Sequence, residues 1–377
     1  MSEKKIRIGI IFGGRSGEHE VSLASAASVI ANLDRDKYEV VPIGITKEGS
    51  WLLGVEPPQL QAAEQHITSD TNPDENLKQA TAVTLTGDPS LRRLIPVRSN
   101  EQLGVEGTLD VIFPVLHGTY GEDGALQGLL EMANVPYVGC GVLGSALGMD
   151  KEKMKMVFGS VDLPIVDSLT YRRNQWERSP EEIMDAVEEH IGYPCFVKPV
   201  NLGSSVGVNK AHDRDELKHA IDVAAEYDRK IIIECSIDCR ELECSVLGND
   251  EPLASIVGEV VPSNEFYDYN AKYLDGKSQI IIPADIPHIT AENVRRWAVQ
   301  AFLALDLSGL ARVDFFMEKE TGKVYINEVN TIPGFTQISM YPKLWEASGL
   351  SYPQLLDHLI ELAIERHEDR QRNRTSL

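Results

Sequence analysis

Two carboxylates, a guanidinium and an amide interrupt apolar runs in residues 309–334, GLARVDFFMEKETGKVYINEVNTIPG. Apolar and β-branched residues lead to the polar Glu320-Thr321-Gly322-Lys323 and resume after it, the pattern of a β-hairpin. With the turn centred on Thr321, Asp314 faces Glu328 and Arg312 faces Asn330. Strand alternation then puts all four side chains on one face. Like charges directly opposed destabilise a sheet, and a cation between them removes that penalty. Asp314, Glu328 and Asn330 carry hard oxygen donors of the kind Mg2+ accepts beside phosphate and water. The alternative is an exposed hairpin edge with solvated charges, which the flanking apolar runs disfavour.

Groups suited to phosphate lie upstream. Lys198 sits near the end of Tyr193-Pro194-Cys195-Phe196-Val197-Lys198-Pro199, and Asn201-Leu202-Gly203-Ser204-Ser205-Val206-Gly207-Val208 follows. Strand, loop, strand is not the P-loop order. A Gly/Ser loop between strands can still fold over phosphates with its N–H groups, and a lysine can reach one as a point charge. As a bare pattern, an ordinary hairpin is the simpler reading. Glu234 closes the apolar run Lys230-Ile231-Ile232-Ile233, and Glu241 follows near a domain junction, where two acidic groups can receive adenine and ribose. Lys272 stands among Tyr267, Tyr269 and Tyr273 in a segment without clear periodicity, the composition of an ordered loop or lid.

These residues need elements to bring them together. Residues 5–12 read as a buried parallel strand, Gly13-Gly14-Arg15-Ser16-Gly17 as a turn, and the residues from Ser22 as an Ala-rich helix. Such a helix start attracts anions, but the spacing is not the GxGxxG dinucleotide fingerprint. Glu18, His19 and Glu20 at its mouth suit a substrate ammonium, and acidic residues that favour a helix N-terminus explain them equally well. Residues 110–116 form another buried strand, ending in His117-Gly118-Thr119-Tyr120-Gly121-Glu122-Asp123-Gly124. Ligands of parallel sheets bind beyond the carboxyl ends of strands, which puts His117 and the glycine turn on one rim. Residues 38–46 add a strand, whereas about 55–107 lose periodicity and read as an insertion. Helices are expected at 145–158 (with Lys151, Lys153 and Lys155), 180–190, 215–227, 291–305 and 352–364. Strands are expected at 136–138, 253–261 and 280–282, and the charged tail from Glu365 is expected to fray.

A chain of 377 residues exceeds one simple core, so two or three α/β domains are expected. The formal net charge of -22 argues against a nucleic-acid surface or attraction to anionic membranes. No apolar run has transmembrane length, and MSEKKIRIGIIFGG enters a strand without a signal-peptide core. The 5 cysteines imply no disulfide framework, with the cytosol as default compartment. Cys235, Cys239 and Cys244 match no standard zinc pairing and lack a nearby histidine.

The order of these parts resembles the ATP-grasp superfamily and, within it, the D-alanine–D-alanine ligases. The resemblance rests on GGRSGEHEVS, HGTYGEDG, GYPCFVKP with NLGSSVG, FYDYNAKY, and ARVDFF with INEVNTIPG. It spans nearly the whole chain and is weakest between residues 55 and 107. It implies a three-domain α/β ATP-grasp architecture. A pre-ATP-grasp N-terminal parallel α/β domain would span 1–147, a central subdomain 148–238 and a C-terminal metal-binding subdomain 239–377. It further implies a cytoplasmic homodimer, without nucleic-acid or membrane partners, that joins two D-alanines using ATP and two Mg2+ (or Mn2+) ions.

Carried over by position, Asp314, Glu328 and Asn330 would hold the metals. Lys151 and Lys198 would contact ATP phosphates beneath the Ser204-Ser205 loop, and Lys272 would bridge to the transferred phosphate. Glu234 and Glu241 would receive adenine and ribose, with backbone groups of Cys235, Ser236 and Ile237 at the base. Glu18 would pair with the first D-alanine's ammonium and connect through Ser204 to Tyr273, with His117 in the same substrate site. Ser339 would receive the second D-alanine's carboxylate. Arg312 and the Gly334 N–H are the candidate donors to the oxyanion that forms when the second amine attacks. A D-alanine–D-lactate ligase, another ATP-grasp ligase or a nucleotide-binding module without turnover are the alternatives, and the intact ligand set with Arg312 and Lys272 counts against the last.

Overall fold

The valine- and isoleucine-rich segments assemble into three sheets in the computed structural model, which describes residues 4–66, 80–91, 93–97, 107–261 and 279–374. The first sheet contains β1 (Ile6–Gly13), β2 (Tyr38–Ile45), β3 (Trp51–Leu53), β4 (Thr81–Leu85), β5 (Leu94–Pro96) and β6 (Val111–Val115), in the order β5-β4-β3-β2-β1-β6. β1 lies parallel to both β2 and β6, with Phe12 beside Gly44 and Val115. Burial on both faces accounts for the unbroken apolar runs of β1 and β6. The Gly13 turn and the His117 loop therefore leave the same rim, as expected. β3, β4 and β5 continue antiparallel, so the described part of the 55–107 insertion extends this sheet.

The first helix runs from His19 to Asn32 and begins three residues before the expected Ser22. His19 is thereby turned inward and fully buried. Its Nδ1 lies 2.8 Å from the Gly14 carbonyl and its Nε2 2.9 Å from Glu64, on the insertion helix Pro57–His66. Residues 136–138 form no strand: Tyr137 makes a single parallel bridge to Ile112, because Pro136 has no N–H to extend a ladder. The helix expected at 145–158 is two helices, Val142–Met149 and Lys151–Ser160. Asp150 breaks it with an extended backbone and caps the second helix by accepting from the Lys153 N–H. That break sets Lys151 at a helix start.

The second sheet holds β7 (Ser168–Arg172), β8 (Cys195–Pro199), β9 (Asn209–Ala211) and β10 (Lys230–Cys235), antiparallel in the order β7-β10-β8-β9. The helices Pro180–His190 and Arg214–Tyr227 cover one face with an apolar stripe that includes Ile183, Val187, Leu217 and Ile221. The third sheet holds β11 (Cys239–Gly248), β12 (Leu253–Val261), β13 (Gln279–Ile281), β14 (Gly309–Glu318) and β15 (Val324–Asn330), in the order β13-β12-β11-β14-β15. The helix His288–Ala304 packs Val294, Ala298 and Phe302 into its core. No helix among the described residues is long and apolar enough to cross a membrane.

The hairpin forms the two expected pairs, Arg312 with Asn330 and Asp314 with Glu328. Beyond them the register shifts, so Phe315 pairs with Ile326 and Asn327 is a bulged extra residue. Strict alternation cannot serve both ends of this strand. Ile326 is fully buried in the core, and Glu328, two residues on, would follow it there. The bulge turns Glu328 to the opposite face. The C-terminal helix also departs from expectation: it runs from Tyr352 to Gln371 rather than fraying after Glu365. Arg366 donates to Gly139 O at 2.7 Å and Tyr137 O at 3.1 Å, with its guanidinium 4.3 Å from the Tyr137 ring, and Arg370 pairs with Glu131.

His19 carries a pH dependence for the first sheet. Burial alone lowers its pKa, but the bonds with Glu64 and Gly14 and the nearby carboxylates outweigh burial, and the net shift is upward from 6.5. The stabilisation is complete below the unfolded value and is lost as pH rises through the raised folded value. The thermal midpoint is expected to fall as pH rises above about 6.5, and Glu64→Gln is expected to flatten that slope. Equal slopes in the two proteins would show that the pair does not bear on stability.

Candidate active site

The two loops that meet at Glu18 come from different sheets. The first, after β6, brings Gly118; the second, between β8 and β9, brings Gly203 and Ser204. Ser204 donates a hydrogen bond to the Glu18 carboxylate. A Cβ on Gly118 would stand 2.5 Å from Glu18 Oε2, and one on Gly203 would stand 2.9 Å from it. Only glycine lets both backbones approach one carboxylate this closely. Ser204 and Ser205 hold left-handed φ values of 51° and 58°. Such backbone strain costs on the order of 1–3 kcal/mol per residue and concentrates at ligand clamps. Tyr273 and Lys272, with the rest of the tyrosine-rich segment, lie outside the described residues.

Behind this corner stands Glu122, which the sequence reading did not single out. One oxygen accepts from Gly118 N at 2.7 Å and the other from Ile332 N at 2.8 Å. Burial, and then the charge of Glu18, push its carboxyl up to about 8. His117 is 4% exposed, and both ring nitrogens face protein groups: Nδ1 lies 2.8 Å from Ile332 O and Nε2 3.2 Å from Ser25 Oγ. The imidazole therefore backs the rim rather than opening onto it. Burial holds its pKa below the ordinary value.

The lysines form the next layer. Lys151 Nζ lies 2.9 Å from Leu202 O and 3.2 Å from Glu328 Oε2, joining the glycine loop to the hairpin. Glu234 is only 2% exposed, and its two oxygens are bridged by Lys198 at 2.6 Å and Lys155 at 2.8 Å. Burial would raise the Glu234 pKa, but the two ammonium groups outweigh it and hold it well below the carboxylate range. The charges of Glu328 and Glu241 also act on Lys198, so these lysines stand among several carboxylates. Lys155 was legible only as one of three lysines on an expected helix; the four-residue spacing from Lys151 did not show which would turn inward.

Along the adjoining edge, Cys235 N donates to Asp167 O at 3.1 Å and Ser236 N to Pro194 O at 3.3 Å, with Ile237 next in the chain. Glu241 follows on β11, opposite Phe316 and Val260. Two residues on, Glu243 lies opposite Asp314 and 2.9 Å from Arg312 Nε. Arg312 also makes two parallel 2.7 Å bonds to Asp314, and Asn330 Nδ2 lies 2.9 Å from the same carboxylate. Cationic and amide donors thus surround the hairpin carboxylates. Among the described residues, no three His, Cys, Asp or Glu side chains form a closed metal cage. Two carboxylates and an amide oxygen nevertheless suit a divalent ion that keeps positions for phosphate and water. Past the hairpin, Ser339 Oγ bonds Thr336 N at 3.0 Å, and a Cβ on Gly334 would stand 3.0 Å from that oxygen.

Comparison with known proteins matches residues 7–140 to the D-ala D-ala ligase N-terminus and residues 157–361 to the D-ala D-ala ligase C-terminus. The chain belongs to the D-alanine–D-alanine ligase family. A D-alanine–D-alanine ligase of Acetivibrio thermocellus is 53% identical over 98% of both chains. Another, from Ruminiclostridium cellulolyticum, is 53% identical over 100% of this chain and 99% of its own length. Among solved structures, the VanG D-Ala:D-Ser ligase from Enterococcus faecalis aligns with a TM-score of 0.82 at 37% identity, covering 96% of this chain and 100% of its own. The D-alanine-D-alanine ligase from Coxiella burnetii aligns with a TM-score of 0.80 at 38% identity, covering 97% of each chain. The architecture is the multidomain α/β ATP-grasp fold of the D-alanine–D-alanine ligases, an ATP-dependent family generally needing a divalent metal.

The buried lysine–glutamate trio has a measurable consequence. Removing one member of a buried ion pair costs about 3–5 kcal/mol, because its partner is left charged and unpaired. Lys155→Met leaves Glu234 with Lys198 alone and is expected to lower the stability to urea by about 3 kcal/mol. The double variant Lys155→Met/Glu234→Gln is expected to regain part of that loss. No recovery would mean that packing, rather than charge, holds Lys155 in place.

Proposed function

We infer that this chain joins two D-alanines into D-alanyl-D-alanine using ATP, through a D-alanyl phosphate, for peptidoglycan precursor synthesis. The observation that carries this reading is the contiguity of two corners: the Glu18–Ser204 rim and the Asp314–Glu328 hairpin, with Glu122 accepting from the loops of both. A carboxylate resists nucleophilic attack because it is already negative. Phosphorylation makes it an acyl phosphate with a good leaving group, and the second amine then displaces phosphate.

In this assignment Glu18 binds the ammonium of the first D-alanine. Lys151 and Lys198 contact ATP phosphates, with Ser204 and Ser205 above them; the roles proposed for Lys272 (the transferred phosphate) and Tyr273 (a partner of Ser204) fall on residues outside those described. Glu234, Cys235, Ser236, Ile237 and Glu241 line the nucleotide edge, with the Glu234 carboxylate acting through its two lysines. Asp314, Glu328 and Asn330 would hold two Mg2+ or Mn2+ ions, which when bound would neutralise phosphate charge. Arg312 and the Gly334 N–H donate to the oxyanion of acyl transfer, and Ser339 takes the second carboxylate. Closure of the loops keeps water from the acyl phosphate. The units proposed to build the site span 1–147, 148–238 and 239–377, in a cytoplasmic homodimer without nucleic-acid or membrane partners.

Phosphate release with ATP, Mg2+ and D-alanine, with mass-spectrometric detection of the dipeptide, tests this reading. Absence of D-alanine-dependent phosphate release would overturn it. The alignment with a D-Ala:D-Ser ligase makes D-serine the first alternative acceptor to include, with D-lactate beside it. Glu328→Gln is expected to lower ligation by roughly a hundredfold or more, since metal stabilisation supplies several kcal/mol. Its circular dichroism is expected to match the wild type. Near-normal turnover at ordinary Mg2+ concentration would remove Glu328 from the ligand set.

A further inference from the structure

Ser25 and His117, both buried, and the part-buried Glu122 converge on residues 331–335, between the two corners of the site. The Ile332 peptide is held from both sides, its N–H donating to Glu122 at 2.8 Å and its carbonyl lying 2.8 Å from His117 Nδ1. A carbonyl can only accept, so Nδ1 carries the ring hydrogen. In the neutral ring Nε2 then accepts, and the Ser25 hydroxyl, 3.2 Å away, is its donor. The Ser25 oxygen in turn accepts from the Phe335 N–H at 3.2 Å. Each bond leaves its neighbour in the state the next one requires.

Gly334 lies between the two anchored peptides, Ile332 and Phe335. Tyr352 OH adds a bond to Phe335 O at 2.5 Å, and the Phe335 ring meets Phe113 edge-on at 6.0 Å. This short segment therefore has little freedom to turn. We propose that Ser25, His117 and Glu122 are positioning residues that set the direction of the Gly334 N–H for acyl transfer. The proposal rests on the functional reading above. It assigns the three side chains no substrate contact: they act through the backbone of residues 331–335. A preorganised donor is worth most when it cannot reorient as charge develops.

Ser25→Ala removes the link between His117 and Phe335. Glu122→Gln keeps the side-chain volume but sets an amide donor against one of two backbone N–H groups, so the test survives if either variant folds poorly. Two readouts are taken on the full chain: hydrogen exchange of peptides covering 331–335 without ligand, and steady-state kinetics with D-alanine and ATP. Exchange in 331–335 is expected to rise about tenfold with 309–318 unchanged, as for a local opening. The kcat is expected to fall about tenfold while KM for ATP stays within about twofold, because the nucleotide groups lie on other loops. Wild-type kcat in both variants, or a lower kcat with unchanged exchange in 331–335, would overturn the proposal. If the wild-type chain makes no dipeptide, the functional reading fails, and the exchange comparison still decides whether these side chains hold the segment.

Discussion

Two carboxylates opposed across a pair of strands repel each other, and the site is built around satisfying them. Asp314 and Glu328 are part-buried on β14 and β15, where water screens them poorly. Arg312 on the same strand pairs with Asp314, and Lys151 reaches Glu328 from the helix start beyond Asp150. The requirement for positive charge thus ties the third sheet to the helices that precede the second.

The same logic extends inward. Glu234 is too buried to remain charged alone, and Lys155 and Lys198 neutralise it from two elements. Glu328 and Glu241 also act on Lys198, which couples this trio electrostatically to the hairpin. On the rim, Glu18 is enclosed by glycines that permit close approach and by the Ser204 hydroxyl. Glu122 and His117 fasten that rim to the segment after the hairpin through backbone groups. The Glu18 rim, the buried lysines and the hairpin carboxylates are therefore one electrostatic and hydrogen-bonded assembly rather than three separate clusters.

Much of the fold follows from local pattern. The uninterrupted apolar runs of β1 and β6 need two covered faces, and β12 and the helix Pro180–His190 occupy the expected residues. The failures are local as well as informative. Asp150 breaks a helix that periodicity alone would continue, because its side chain caps the next helix and its carboxylate meets Lys230. The charged tail after Glu365 stays helical because Arg366 finds backbone carbonyls far away in the chain.

The sequence by itself determined the chemistry available: opposed carboxylates flanked by an arginine, lysines beside a Gly/Ser loop, and an acidic glycine turn. Residue type and alternation suffice for that, since both are properties of short stretches. Tertiary structure decided which of these groups meet. It turned Lys155 inward to Glu234, placed Ser25 between His117 and Phe335, and made Glu122 the link between two loops. It also inserted Asn327 as a bulge, without which Ile326 and Glu328 would compete for one face. Partners of buried polar groups are chosen by packing across long sequence separations, and no local pattern records them.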